Sequence, residues 1–243
     1  MTGSGNWYER TELLIGENGI QKLKNSHVLI AGLGGVGGIA AEMLCRAGIG
    51  SMTIADSDIF TPSNRNRQIG ALVSNNGKYK ADVIGERLLD INPEINLTIV
   101  KDYLKDNVIL DLINQNKYDY VIDAIDTLSP KVFFIFHCIK KELKLVSSMG
   151  AGGKLDPASI KISDISKSYE CRFAYDVRKK LHKLGIEKGF DVVYSIEKVP
   201  RNVILKEESV ANKKSTVGTI SYIPAIFGTY CSSIVIRNLL KKE

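Results

Sequence analysis

Gly32, Gly34 and Gly37 follow an apolar run at 27–31 in the spacing G-x-G-x-x-G, with Gly35 inside the same stretch. Residues without a side chain let the backbone turn tightly and bring its N–H groups against phosphate at the positive end of a helix. Asp56 closes the next apolar run, 24 residues beyond Gly32. A carboxylate there can accept from ribose hydroxyls. Alone, these residues favour binding of a dinucleotide such as NAD, with a tight strand-to-helix turn as the other reading.

Three further features favour a triphosphate. The loop after Asp56 runs Ser63-Asn64-Arg65-Asn66-Arg67-Gln68 and is followed by Lys78 and Lys80. So many donors and cations suit negative charge that develops during transfer, more than the pyrophosphate of NAD requires. Asp123-Ala124-Ile125-Asp126-Thr127 ends a later apolar run. A carboxylate aimed at phosphates repels them unless a hard cation lies between, so Asp126 reads as a Mg²⁺-side ligand. His27, His137 and His182 read as structural and supply no obvious hydride-transfer acid. An NAD-binding oxidoreductase remains the alternative, and titration with NAD(H) and ATP-Mg²⁺ separates the two.

The elements that must position these residues follow from periodicity. Residues 1–25 read as a lead-in helix with Leu13, Leu14, Ile20 and Leu23 on its apolar side and Gly16 and Gly19 as interruptions. Apolar runs at 27–31, 51–56, 96–100, 119–125 and 143–148 read as strands. They alternate with helical patterns, the first of which places Ile39, Met43, Leu44 and Ala47 on one face. Such alternation implies parallel pairing by right-handed crossovers, hence an α/β, Rossmann-like, doubly wound sheet. Beyond Lys154 the rhythm changes: short apolar runs at 160–165 and 192–196 flank a basic helix at 173–184, and an apolar helix at 223–240 closes the chain. The expected organisation is a lead-in at 1–25, a nucleotide-binding core at 26–153 and a basic C-terminal extension at 154–243 packed on the same domain.

With 44% apolar and 25% charged residues, the chain has ample surface to bury, which excludes disorder. Its four cysteines are scattered, which excludes a disulfide scaffold, and no C-x-x-C pair offers a zinc site. The polar opening and an apolar stretch at 223–236 too short to span a bilayer lead to the expectation of a reduced, soluble, cytoplasmic protein with no membrane partner. Residues 167–214 carry 12 Lys or Arg against 7 Asp or Glu, which is +5 of the total +6. In the basic helix, Phe173, Val177, Leu181 and Leu184 form an apolar stripe beside Arg178, Lys179, Lys180 and Lys183. This block is a solvated surface or a nucleic-acid contact. In the second case, Arg172, Lys198, Arg201, Lys213 and Lys214 join the helix in gripping RNA phosphates.

The glycine run 32–37, Asp56, Asn64–Gln68, Lys80 and Asp126 together resemble the adenylating domain of the ThiF/MoeB and ubiquitin-activating-enzyme superfamily. Arg10-Thr11-Glu12-Leu13-Leu14-Ile15-Gly16, Asn66-Arg67-Gln68-Ile69, Ser147-Ser148-Met149-Gly150-Ala151-Gly152 and Ser221-Tyr222-Ile223-Pro224-Ala225-Ile226-Phe227-Gly228 are similar to its tRNA threonylcarbamoyladenosine dehydratase branch. The resemblance covers nearly the whole chain and implies a sheet of the activating-enzyme type with ATP-dependent adenylation of a carboxylate. By it, Gly32, Gly34, Gly35 and Gly37 hold the nucleotide and Asp56 the ribose, while Asn64, Asn66, Arg67, Gln68, Lys80 and Thr127 complete the site. Asp126 holds Mg²⁺ at the phosphates. Arg10 matches an arginine lent to a partner subunit, implying a homodimer with 1–25 as its arm; a surface salt bridge is the other reading. The acceptor implied is the threonyl carboxylate of modified adenosine in tRNA, and a sulfur-relay protein is an accessory partner the resemblance allows. The alternative acceptor is the C-terminus of a ubiquitin-like sulfur carrier. Missing zinc cysteines and the basic extension oppose it. Cys171 sits in Glu170-Cys171-Arg172-Phe173, which departs from the branch pattern. A transthiolating role for Cys171 is the lesser reading, and Cys45, Cys138 and Cys231 read as buried small hydrophobes.

Overall fold

The computed structural model describes residues 6–206 and 215–241. Its main sheet has the order β3-β2-β1-β4-β5-β7-β6, from β1 (His27–Ala31), β2 (Ser51–Ala55), β3 (Asn96–Val100), β4 (Tyr120–Asp123), β5 (Leu145–Ser148), β6 (Ile160–Asp164) and β7 (Asp191–Ser195). All neighbours run parallel except β6, which lies antiparallel on β7. The central strands β1 and β4 are almost wholly buried, as their continuous apolar sequences require with helices on both faces. One face is covered by α1 (Glu9–Lys24), α2 (Gly37–Arg46), α3 (Lys80–Ile91) and α7 (Tyr222–Leu240). The other carries α4 (Asp106–Asn114), α5 (Leu128–Lys140) and α6 (Arg172–His182).

Strand order reverses between β1 and β4, so a crevice opens beyond their C-terminal ends. Residues beyond Lys154 do not form a layer outside this sheet. β7 pairs directly with β5, β6 closes the edge, and α6 packs on α5. The same segment adds a small hairpin of β8 (Ile204–Lys206) and β9 (Ser215–Val217), which has no counterpart in the sequence expectations.

Several apolar faces differ from the periodic reading. In α2 the fully buried stripe is Ala40, Ala41, Leu44 and Cys45, while Ile39, Met43 and Ala47 are half-buried. Small residues are needed there because α7 presses against it: a Cβ on Gly228 would lie 3.0 Å from the Ile39 side chain and 3.1 Å from the Ala40 nitrogen. α7 is long and apolar enough to cross a membrane by length and composition. Its buried residues Ile223, Phe227, Cys231, Val235 and Leu239 instead belong to the core. In α6 the buried residues are Ala174, Val177 and Leu181, whereas Leu184 lies past the helix end and is exposed.

α1 folds back on itself. Gly16 adopts φ 73°, a left-handed conformation that glycine reaches without steric cost. The Lys24 ammonium then donates to the Tyr8 hydroxyl at 2.6 Å across the bend. Gly19, in contrast, lies buried within the second arm. Ile20 and Leu23 enter the core, but Leu13 and Leu14 are 82% and 85% exposed, so the apolar side expected of one continuous helix is split.

Candidate nucleotide site

The chain leaves β1 at Ala31 and turns sharply. Gly32 donates its N–H to Ala55 at 2.8 Å and takes φ 89°. A Cβ there would sit 2.8 Å from the Ala124 carbonyl oxygen, so only glycine lets the first loop lie against the turn after β4. The Leu33 N–H donates to Asp56 Oδ2 at 2.6 Å, and the Asp58 N–H to Asp56 Oδ1 at 2.8 Å. Burial raises the Asp56 pKa, opposed by Lys80 and by these two N–H donors. Asp56 therefore ties the glycine loop to the end of β2 before any ligand arrives. Gly35 faces the first turn of α7, where a Cβ would approach Pro224 to 2.9 Å. α2 begins at Gly37, and the first N–H groups of a helix have no intrahelical partner. Gly38 and Ala40 already donate to Gly34 O and Val36 O at 3.1 and 3.0 Å, so the donors this turn offers an anion are its other N–H groups.

The polar loop forms one wall. Asn64 accepts from the Thr61 N–H in a capping box, Arg67 donates to Ser63 O at 3.0 Å and to Asn66 Oδ1 at 2.8 Å, and Asn66 donates to Thr219 O at 2.8 Å. Segment 216–222 continues that wall: Gly218 accepts from the Gly153 N–H, and the Tyr222 hydroxyl donates to Leu155 O. Lys80 opens α3 with a buried side chain whose ammonium meets Asp58 at 2.7 Å. Gln68 is 8% exposed and lies beside the loop, its amide nitrogen 3.7 Å from where a Cβ on Gly34 would sit. Its buried carbonyl oxygen has no hydrogen-bond partner. An orphaned acceptor next to a glycine cradle and a helix N-terminus fits an absent polar ligand such as a nucleotide.

The opposite wall is the β4–α5 turn. Asp126 is exposed and bonded to no described residue, and Thr127 occupies the N-cap of α5. Asp123 differs sharply, being fully buried as the last residue of a strand shorter than the 119–125 run. It pairs with the equally buried Lys131 at 2.8 Å. This pair had no distinct signal in the sequence, where Lys131 stands alone in an apolar helix. Among the described residues no three His, Cys, Asp or Glu side chains converge on a metal-sized site.

Not every predicted residue comes to this crevice. Arg10 lies two residues beyond Tyr8, and Trp7, Tyr8 and Lys24 line one cavity with Gly50, Asn92 and Glu94. Those residues precede β1, β2 and β3, so Arg10 sits at the far edge of the sheet. The five residues of β1, about 16 Å of strand, separate it from its own glycine loop. On α6, Lys179, Lys180 and Lys183 are exposed and Arg172 pairs with Asp176 at 3.1 Å. Arg178 departs from the expected cationic face, because its guanidinium donates to Ser168 O, Ser168 Oγ and Ile165 O at 2.6–3.3 Å. It secures the turn before the helix. Arg201 begins a short turn, Arg201–Val203, while Lys213 and Lys214 lie outside the described residues. All four cysteines are buried, and burial pushes the Cys45 thiol up to about 11 and Cys231 to about 12. Burial and raised thiols leave Cys45 and Cys231 as packing groups.

A glycine loop at the switch point of a doubly wound sheet, with a carboxylate ending the next strand, defines a Rossmann-like nucleotide-binding protein. The ThiF family model matches residues 8–243, and the chain belongs to the ThiF family. It is 37% identical over 241 residues to the tRNA threonylcarbamoyladenosine dehydratase of Bacillus subtilis (strain 168), covering 96% of this chain and 94% of that one. The dehydratase of Escherichia coli (strain K12) is 34% identical over 256 residues, covering 97% and 95%. The crystal structure of the E. coli enzyme, TcdA, in complex with ATP matches with a TM-score of 0.87, covering 96% of this chain and 93% of that chain. Similarity to the E. coli sulfur carrier protein ThiS adenylyltransferase is less extensive, 36% over 152 residues and 61% of this chain.

Proposed function

We propose that this protein is an ATP-dependent tRNA threonylcarbamoyladenosine dehydratase. The end-to-end similarity to dehydratases, one of them solved with ATP, carries the reading. The threonyl carboxylate attacks the α-phosphorus of ATP, and the bond to pyrophosphate breaks. The carbamoyl group of the same nucleoside then attacks the activated carbonyl, closes a ring and expels AMP, so that one water is lost in sum. Holding nucleophile and acyl group on one molecule supplies a large effective concentration, and no enzyme thiol is required.

In this reading Gly32, Gly34, Gly35 and Gly37 and the α2 N-terminus bind the phosphates. Asp56 accepts from the ribose, and Asn64, Asn66, Arg67, Gln68, Lys80 and Thr127 complete the cradle. Arg67 and Lys80 are fixed cations that stabilise the departing pyrophosphate without reorganising. Mg²⁺ would supply charge neutralisation at the phosphates, and the Asp126 carboxylate, bonded to no described residue, would hold it. Arg10 is lent to the site of a second copy. Its place at the far edge of its own sheet and the exposure of Leu13 and Leu14 favour a homodimer formed through the first arm of α1. The tRNA contacts are Arg172, Lys179, Lys180, Lys183 and Arg201, the protein acts in the cytoplasm, and a sulfur-relay protein assists it.

The test is incubation with ATP, Mg²⁺ and tRNA carrying threonylcarbamoyladenosine, followed by nucleoside mass analysis for loss of one water. An unchanged nucleoside mass with active tRNA refutes the proposal. Adenylation of a sulfur carrier is the second reading, favoured only by the partial similarity above. Pyrophosphate exchange stimulated by a small Gly-Gly-ended protein, and not by tRNA, would establish it instead.

A further inference from the structure

We infer that Lys131 is a positioning residue: paired with Asp123, it locks the turn that presents Asp126 and Thr127 to the nucleotide. The inference rests on the nucleotide site proposed above. Both side chains of the pair are fully buried, with Lys131 Nζ 2.8 Å from Asp123 Oδ2. The same ammonium donates to the Ile125 carbonyl at 2.9 Å. The other Asp123 oxygen accepts from the Ile125 N–H at 3.1 Å. Ile125, the residue before Asp126, is therefore gripped at its N–H by one member of the pair and at its carbonyl by the other. Ser147 Oγ on β5 holds Asp123 in turn at 2.6 Å.

Stability alone does not account for this arrangement. Taking two charges from water costs roughly what their attraction returns, and apolar residues of similar volume serve a core at least as well. What an apolar pair cannot do is aim two directional bonds at the N–H and the carbonyl of one residue, fixing the peptide units on both sides of it. The location gives those bonds a purpose. Asp123 stands in register with Ala31, the residue before Gly32, and the Ala124 carbonyl is the atom that a Cβ on Gly32 would meet. A shift of the turn would thus move Asp126 and unseat the glycine loop together.

K131M alone would strand a buried carboxylate and melt far below the wild type. D123N/K131M removes both charges, so cooperative folding returns, but the Ile125 carbonyl still lacks its donor. In this double variant the KM for ATP in tRNA-stimulated pyrophosphate exchange should rise at least tenfold, with the half-saturating Mg²⁺ concentration rising alongside. The KM for tRNA should stay within twofold. A merely structural role would lower the active fraction, hence kcat, and leave KM in place. Hydrogen exchange supplies an independent readout: protection of Ile125 should fall at least tenfold in D123N/K131M while β1 stays protected. In the wild type the Ile125 amide should exchange as slowly as sheet amides, which needs no variant. Wild-type KM and protection in the double variant, or fast exchange of wild-type Ile125, would overturn the inference. A wild type that binds no ATP would defeat the proposed function, and exchange protection alone would then decide the clamp.

Discussion

Replacing Gln68 by methionine should stabilise the ligand-free protein and weaken its hold on ATP. Gln68 is 8% exposed, and its side-chain carbonyl oxygen is buried without a partner. A buried acceptor left unsatisfied costs about 1–3 kcal/mol. Methionine keeps the unbranched shape and adapts to irregular gaps, so most of that cost is recovered without overpacking. Taking the lower end, a gain of about 1 kcal/mol corresponds to about 2–4 °C in Tm for a chain of this size. The nucleotide loses a hydrogen bond worth about 1 kcal/mol, or roughly fivefold in Kd. Scanning calorimetry without ligand and titration calorimetry with ATP-Mg²⁺ measure the two effects on the same samples. They must move in opposite directions. A Q68M variant that melts lower and binds ATP as tightly as before would show that the orphaned oxygen is not held for the nucleotide.

Other perturbations separate chemistry, partner and fold. R67M and D126N should each lower ATP–pyrophosphate exchange by about two orders of magnitude, the scale of losing one preorganised charge. Tm should stay within about 1 °C, since neither side chain supports the core; initial rates near wild type would exclude these roles. K179E/K180E should weaken tRNA binding and reduce the slope of log K against log salt by about 1.4–1.8, leaving the Kd for ATP unchanged. Equal tRNA affinity across a salt series would remove α6 from the interface. Glu42 is buried, which raises its pKa, but hydrogen bonds and charge from Arg87 and Arg46 outweigh this and hold it below 4.5. The unfolded carboxylate therefore takes up a proton first, so this stabilisation is complete above 4.5 and disappears as pH falls through the folded value. E42Q should melt lower than wild type at neutral pH and lose less Tm on acidification, as thermal melts between about pH 3 and 7 would record.

The parts of the fold visible in the sequence are those decided within one strand–turn–helix unit. The glycine spacing after 27–31 marks both the β1–α2 turn and its ligand, because no other residue allows Gly32 to lie on Ala124. Alternation of strands and helices likewise fixes the doubly wound order of the first five strands. What escaped depends on distant partners. Lys131 looks like one polar residue in an apolar helix until β5 brings Ser147 and α6 brings Phe173, whose ring lies 5.9 Å from the ammonium. Arg178 sits among exposed lysines in sequence, yet the carbonyls of the preceding turn claim it. Leu13 and Leu14 keep helical spacing with Ile20 and Leu23, but the bend at Gly16 breaks the common face. Gln68 was legible as a polar group of the loop. Its burial was not, since that depends on how the loop folds onto the glycine turn.

The side-chain donors of the crevice are held by neighbours within the protein itself, which bears on how selective the site can be. Lys80 is held by Asp58, whose own side chain is 68% exposed, while Arg67 leans on Asn66 and Asn66 on Thr219. Each contact fixes a donor in place, so a ligand finds charge preorganised and need not order long flexible side chains. Each is also a bond to be exchanged, so net affinity is the difference between ligand and incumbent. A triphosphate gains from this exchange at Arg67, since charge-assisted bonds to phosphate exceed those to the neutral Ser63 and Asn66 oxygens, and at Lys80 it replaces one anion by another. A neutral ligand would break the same contacts and gain no such excess. Selectivity for polyphosphate thus comes from the incumbents as well as from the cations, and Asn66 and Asp58, which add no positive charge, contribute to it by what they already hold.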